Sequence, residues 1–166
     1  MVIRTLFHHL LEIDSQKQAA LRSTEPEPNS ERYVFLAKGH IMEVILIGED
    51  ERRIVSLFFE PDEMVVPSDA KFSHLESLDS GETIPFTYGT IIRTLRNFPE
   101  TRIHYQEFRR RYQKKVADRL HGLESMSAKE RFAHLKATQG WVFSLVDEVD
   151  IASYLGIPVH ILRLLM

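Results

Sequence analysis

The last seventeen residues, DIASYLGIPVHILRLLM, constrain the fold more tightly than any other stretch of the chain. Ile151, Ala152, Tyr154 and Leu155 recur at helical spacing. Gly156 marks the stop, because glycine takes the left-handed backbone that closes a helix at little cost. Pro158 follows at the first position of a second short helix, where a missing N–H and a fixed φ do no harm. Helix, glycine turn and helix at this spacing predict a helix-turn-helix or an ordinary helical hairpin.

Charge along the chain is uneven. The formal net charge is −3, which argues against a nonspecific coat for nucleic acid. Residues 1–100 hold 10 Lys/Arg against 17 Asp/Glu, residues 101–125 hold 7 against 3, and residues 126–166 are balanced at 4 and 4. The positive charge therefore sits in one central segment and not in the C-terminal helices. No cysteine occurs, which removes disulfides, thiol catalysis and iron–sulfur clusters and makes a reducing cytoplasm the expected location. No apolar run reaches the length of a membrane span, and the N-terminal MVIRTLFHHLLEID lacks the small-residue cleavage site of a signal peptide.

Between the ends the character of the chain changes twice. Residues 2–21 have a helical rhythm, and RSTEPEPNSER (22–32) reads as a loop. YVFLAK, HIMEVILI and RIVSLFF are β-branched and aromatic runs, with Gly39 between the first two and GEDER (48–52) as a turn before the third. MVV (64–66), FSHLESL (72–78) and TIPF (83–86) are shorter strand candidates. Several short strands with turns between them predict a sandwich or barrel. From Thr87, a capping residue, the rhythm is helical again. The long segment 99–124 carries Ile103, Tyr105, Phe108, Tyr112, Val116, Leu120 and Leu123 as one stripe, with Arg109, Arg110, Lys114, Lys115 and Arg119 opposite. Ser127 and Glu130 fit a capping box opening the next helix.

YVFLAKGHIMEV (33–44), IVSLFFEPDEMVV (54–66), HLESLDSGE (74–82), NFPE (97–100), SMSAKERF (125–132) and DIASYLGI (150–157) occur in the order, and over most of the length, seen in the catabolite-activator (Crp/Fnr) regulators, and the chain resembles that family. The resemblance implies an α+β chain: a reduced jelly-roll, cyclic-nucleotide-binding-like β-domain with an N-terminal helix over 1–98, a dimerisation helix over 99–124, and a small helix-turn-helix domain over 125–166 that lacks a wing. It implies a cytoplasmic, dimeric transcription regulator that binds DNA under an unknown signal, not an enzyme. The alternative is a degenerate relative acting as a dimeric interaction protein without ligand or DNA.

The departures carry as much information. Phosphate cassettes in this family need glycine for close approach and an arginine for the anionic oxygens. Here no arginine occurs from 54 to 92 and no glycine from 49 to 80, and Pro61-Asp62-Glu63 stands where glycine precedes the acid. Glu63 and Lys71 are the pocket candidates left, with Asp62 and Asp69 nearby to oppose an anion, so the effector is expected not to be a cyclic nucleotide. In the reading helix, where the family carries base-contacting hydroxyls, acid and arginine, this chain has Pro158, Val159, His160 and Ile161, with Arg163 one place early. His160 and Arg163 are the base-contact candidates, and Lys114 and Lys115 the phosphate candidates, so DNA binding is expected to be weak. Trp141 in QGWVF is read as a core anchor. The eight histidines form no HxH or HExxH spacing, no G-x-S-x-G elbow is present, and neither metal nor cofactor is expected.

Overall fold

The computed structural model describes residues 32–48, 52–65 and 73–166. The reading of a helix over 2–21, the loop 22–31 and the positions of Asp69 and Lys71 lie outside the described residues. The described chain is α+β, with six strands preceding six helices. The strands are β1 (Arg32–Lys38), β2 (Ile41–Ile47), β3 (Arg52–Phe59), β4 (Glu63–Val65), β5 (Ser73–Ser77) and β6 (Glu82–Thr87). The helices are α1 (Tyr88–Asn97), α2 (Thr101–Ser125), α3 (Ala128–Thr138), α4 (Val142–Leu145), α5 (Glu148–Leu155) and α6 (Val159–Leu165).

Two antiparallel three-stranded sheets form, in the orders β4-β1-β6 and β3-β2-β5. Between them lies a cluster of Leu36 and Val65 from one sheet with Ile41, Leu57 and Phe59 from the other. The outer face of the first sheet, with Tyr33, Phe35, Met64, Ile84 and Phe86, packs on Ile91 of α1 and Phe108 of α2. The outer face of the second, with Met42, Val44, Val55 and Phe58, packs on Phe132, Leu135, Val142, Ile151, Ala152, Leu155 and Leu162 of the C-terminal helices. With cover on both sides, β1 and β2 read as near-continuous apolar runs and not as alternation.

A bulge makes the second packing possible. The β2–β3 register shifts between Glu43 and Val44, so that Glu43 faces Leu57 while Val44 faces Val55. Ser56 is the extra residue, and it lets Val55 and Phe58, three apart, lie on one face. Gly39 has φ +79° beside Asp79 and Gly81, a position that no side chain could share. Asp62 takes the same left-handed region at φ 67°, where a short polar side chain is tolerated, and its N–H donates to the Leu36 carbonyl at 2.7 Å.

Thr87 accepts from the Thr90 N–H and caps α1, and Ser127 and Glu130 form the capping box of α3, both as read from the sequence. Helix α2 starts two residues later than read. Pro99 and Glu100 lie in a turn, and the Thr101 N–H donates to the Phe98 carbonyl, as does its hydroxyl. The apolar stripe on α2 is also divided in use. Tyr105 and Phe108 pack on the first sheet, and Tyr112 and Val116 cover the cluster between the sheets. Ile103 and Leu120 remain 73% and 54% exposed.

Candidate nucleic-acid interface

Helices α5 and α6 form the C-terminal pair. The Asp147 carboxylate caps α5 by accepting from the Asp150 N–H at 2.8 Å, and Glu148 and Asp150 place negative charge in its first turn. Gly156, at φ 63°, ends α5, and the Ile157 N–H returns to the Ala152 carbonyl at 3.0 Å. Pro158 stands just before α6 as its N-cap, one place earlier than the sequence reading put it. Leu162 of α6 is fully buried, whereas Leu164 is 80% exposed and His160 and Arg163 also face solvent. The helix thus has one packed side and one open side, although its composition is apolar.

The open side is electrostatically modest. Arg163 donates through Nε to the Glu148 carboxylate at 2.7 Å, an exposed pair across the turn. Lys114 pairs with Asp118 on exposed α2. Lys115 does not face solvent with it: its ammonium binds the Glu63 carboxylate and donates to the Phe58 carbonyl at 2.8 Å. Glu63 also accepts from the Glu60 N–H at 2.9 Å, so this pocket candidate is engaged within the fold. The structure brings Glu63 and Lys115 together, on a cavity that His160 and Arg163 do not line. Arg110 and Arg111 share Glu107, and these two guanidinium groups hold its carboxyl at about 2.

The sequence reading missed the attachment of α5 to the sheet. Arg53 of β3 binds Asp150 and Glu76, and these carboxylates raise the guanidinium well above its usual range. The Ser153 hydroxyl accepts from the Val55 N–H at 3.1 Å, which satisfies a donor on the outer strand of the sheet. Trp141 packs against the core, with its ring edge-on to Phe58, and is also a bridge. It is half-buried, its Nε1 donates to Glu60 at 2.7 Å, and its ring lies 4.1 Å from that of His40. His40 in turn contacts the Asp79 carboxylate at 2.7 Å, and His74 contacts Glu76. Among the described residues no group of three or more His, Cys, Asp or Glu could hold a metal, and no helix is long and apolar enough to cross a membrane.

Solved structures share this architecture. FixK2 from Bradyrhizobium japonicum superposes with a TM-score of 0.66 at 16% identity, over 85% of this chain and 75% of that one. A cyclic nucleotide-binding domain containing protein from Listeria monocytogenes matches with a TM-score of 0.63 at 13% identity, over 85% and 73%. A protein described as a transcriptional regulator of the Crp/Fnr family from Eubacterium rectale matches at 0.57 and 11%, over 82% and 68%. The fold of the described residues is the one these structures share. More narrowly, it is the Crp/Fnr fold that the sequence resembles. No family model and no curated protein sequence matches the chain.

Proposed function

We propose that the chain is a Crp/Fnr-like transcription regulator that binds DNA as a dimer, under control of a signal other than a cyclic nucleotide. In this reading the two sheets are a reduced jelly roll, α2 is the dimerisation helix, and α5 and α6 are a helix-turn-helix. The observation that carries it is the capped α5–Gly156–α6 unit, which buries Leu162 and leaves His160, Arg163 and Leu164 on an open face. A helix entering the major groove needs that division of faces. Arg163 offers a fork for base edges, and Leu164 offers apolar contact of the kind a thymine methyl accepts. Lys114 is the phosphate candidate on α2. The affinity rests on few base contacts, so it should fall steeply with salt and depend little on sequence.

The test is a gel-shift series with random and selected duplexes at two salt concentrations. Arg163→Ala should weaken selected duplexes more than random ones, and Glu148→Gln, which frees Arg163 and removes a negative charge, should strengthen both about two- to five-fold. Absence of any complex at low salt would transfer support to a dimeric interaction protein on the same scaffold.

A further inference from the structure

A cavity of about 360 Å³ opens where α2, the β3–β4 turn and the C-terminal helices meet. Its walls carry both signs of charge, and most of that charge is matched. Lys114 is bound to Asp118, Lys115 to Glu63, and Arg111 to Glu107, while Glu60 accepts from Trp141. Two guanidinium groups are left with no carboxylate among the described residues. Arg119 lies over the Tyr154 ring at 4.3 Å, a contact that uses its face and none of its N–H groups. Its Nε is buried and has no hydrogen-bond partner among the described residues. Arg131 donates only to backbone carbonyls, from Nε to Leu155 at 2.7 Å and from Nη1 to Met126 at 2.5 Å.

Like charges at the wall of one cavity, one of them desolvated, are unfavourable unless an anion joins them. Burial and the nearby Arg131 both push the Arg119 guanidinium below its ordinary value, burial the more strongly. A third feature gives the anion room. Gly122 lies one turn beyond Arg119 on the same wall of the cavity. Glycine is disfavoured inside a helix, and packing does not demand it here: a Cβ at this position would meet only Met126 Sδ, at an ordinary 3.8 Å. Without a side chain, Gly122 leaves that part of the cavity wall open.

We propose that the Arg119–Arg131 end of this cavity binds the oxyanion of a small molecule, a phosphate or a carboxylate. Guanidinium forks are suited to either, and the cavity is of small-molecule size. The walls come from the β-half (Glu60 and Glu63), from α2, and from α3 and α5. The cavity therefore borders both the β-half and the helices that precede α6. This goes beyond the DNA-binding reading and does not depend on it.

The experiment is isothermal titration calorimetry on the full chain at low salt, with pyrophosphate in one arm and citrate in the other. Saturable binding near one per chain is expected in at least one arm, and the arm that saturates identifies phosphate or carboxylate chemistry. Arg119→Met keeps the packing stem and should weaken binding at least about tenfold. Gly122→Leu leaves every charge in place and should abolish binding by filling the space. Arg102→Met, an exposed cation outside the cavity, should bind as the parent does. The proposal is overturned by no saturable heat in either arm, by unchanged binding in both Arg119→Met and Gly122→Leu, or by equal weakening in Arg102→Met. Gel shifts report separately on DNA, so either reading can fail alone.

Discussion

Arg53 on β3 clamps Asp150 on α5 with two parallel hydrogen bonds, Nε to Oδ1 at 3.0 Å and Nη2 to Oδ2 at 2.8 Å. The two partners are not equivalent. The Asp150 side chain is 8% exposed and has no second cation among the described residues, whereas Arg53 is 37% exposed and also holds Glu76. Removing the arginine strands a buried carboxylate, and removing the carboxylate leaves the arginine paired.

Arg53→Met should therefore destabilise the protein by about 2 kcal/mol, below the roughly 3–5 kcal/mol of a fully buried pair because solvent reaches one side. Asp150→Asn should cost about half as much. Urea denaturation of both variants checks this, and equal losses would contradict the asymmetry.

The same cluster makes stability sensitive to acid. Glu76 is held below the usual carboxylate range, first by its hydrogen bonds from Arg53 and next by His74 against an opposing cost of burial. A depressed folded-state value means that the contribution is complete above the unfolded carboxylate value, near pH 4.3, and is lost as pH falls through the folded one. Asp79, lowered chiefly by its contact with His40, acts in the same direction. Denaturation midpoints should fall below about pH 4. The fall should be shallower in Glu76→Gln, which is already weaker at neutral pH; a parallel curve would show that Glu76 is not one of the titrating groups.

Two glycines should rank differently although both have positive φ. At Gly39 a Cβ would meet the Asp79 carboxylate at 2.4 Å and the Gly81 Cα, which is backbone, at 2.6 Å. At Gly156 it would meet only the end of the Leu123 side chain, at 2.9 Å. Gly156→Ala should cost about 1–2 kcal/mol, the ordinary penalty of the left-handed region. Gly39→Ala should cost more, because backbone must shift. Thermal melts of the two variants give the order directly.

Self-association should run through the side of α2 that its own sheets leave open. Ile103 and Leu120 lie there, exposed, while Phe108 is buried against the first sheet. Light scattering at micromolar concentration should give about twice the 19.4 kDa chain mass. Ile103→Asp with Leu120→Asp should return the monomer without unfolding it. A parent chain that is already monomeric would remove dimerisation from the proposed function.

Much of this fold was legible because its signals are local. Thr87, Ser127 and Gly156 mark helix boundaries through their own side chains or lack of one, and the structure uses them as read. The strands were legible as β-branched and aromatic runs, each within about two residues of its observed bounds. What stayed hidden depends on pairing between distant segments. Nothing near Arg53 announces Asp150, 97 residues away, and Lys115 looks like one member of a basic helix face until Glu63 is placed beneath it. The stripe on α2 could not say which of its residues would turn to its own sheets. Arg119 was legible only as one more cation, because its isolation in a cavity depends on α3 and α5.

The core that joins Met42, Val44, Val55 and Phe58 to the C-terminal helices also has a meaning in time. Synthesis proceeds from the N-terminus at roughly 5–20 residues per second. Once Phe58 has left the ribosome, on the order of ten seconds pass before Phe132 through Leu162 follow. Throughout that interval the second sheet's greasy outer face lacks the C-terminal helices that pack on it. A nascent chain stalled there would be the species most prone to aggregate, and the arriving helices end that exposure.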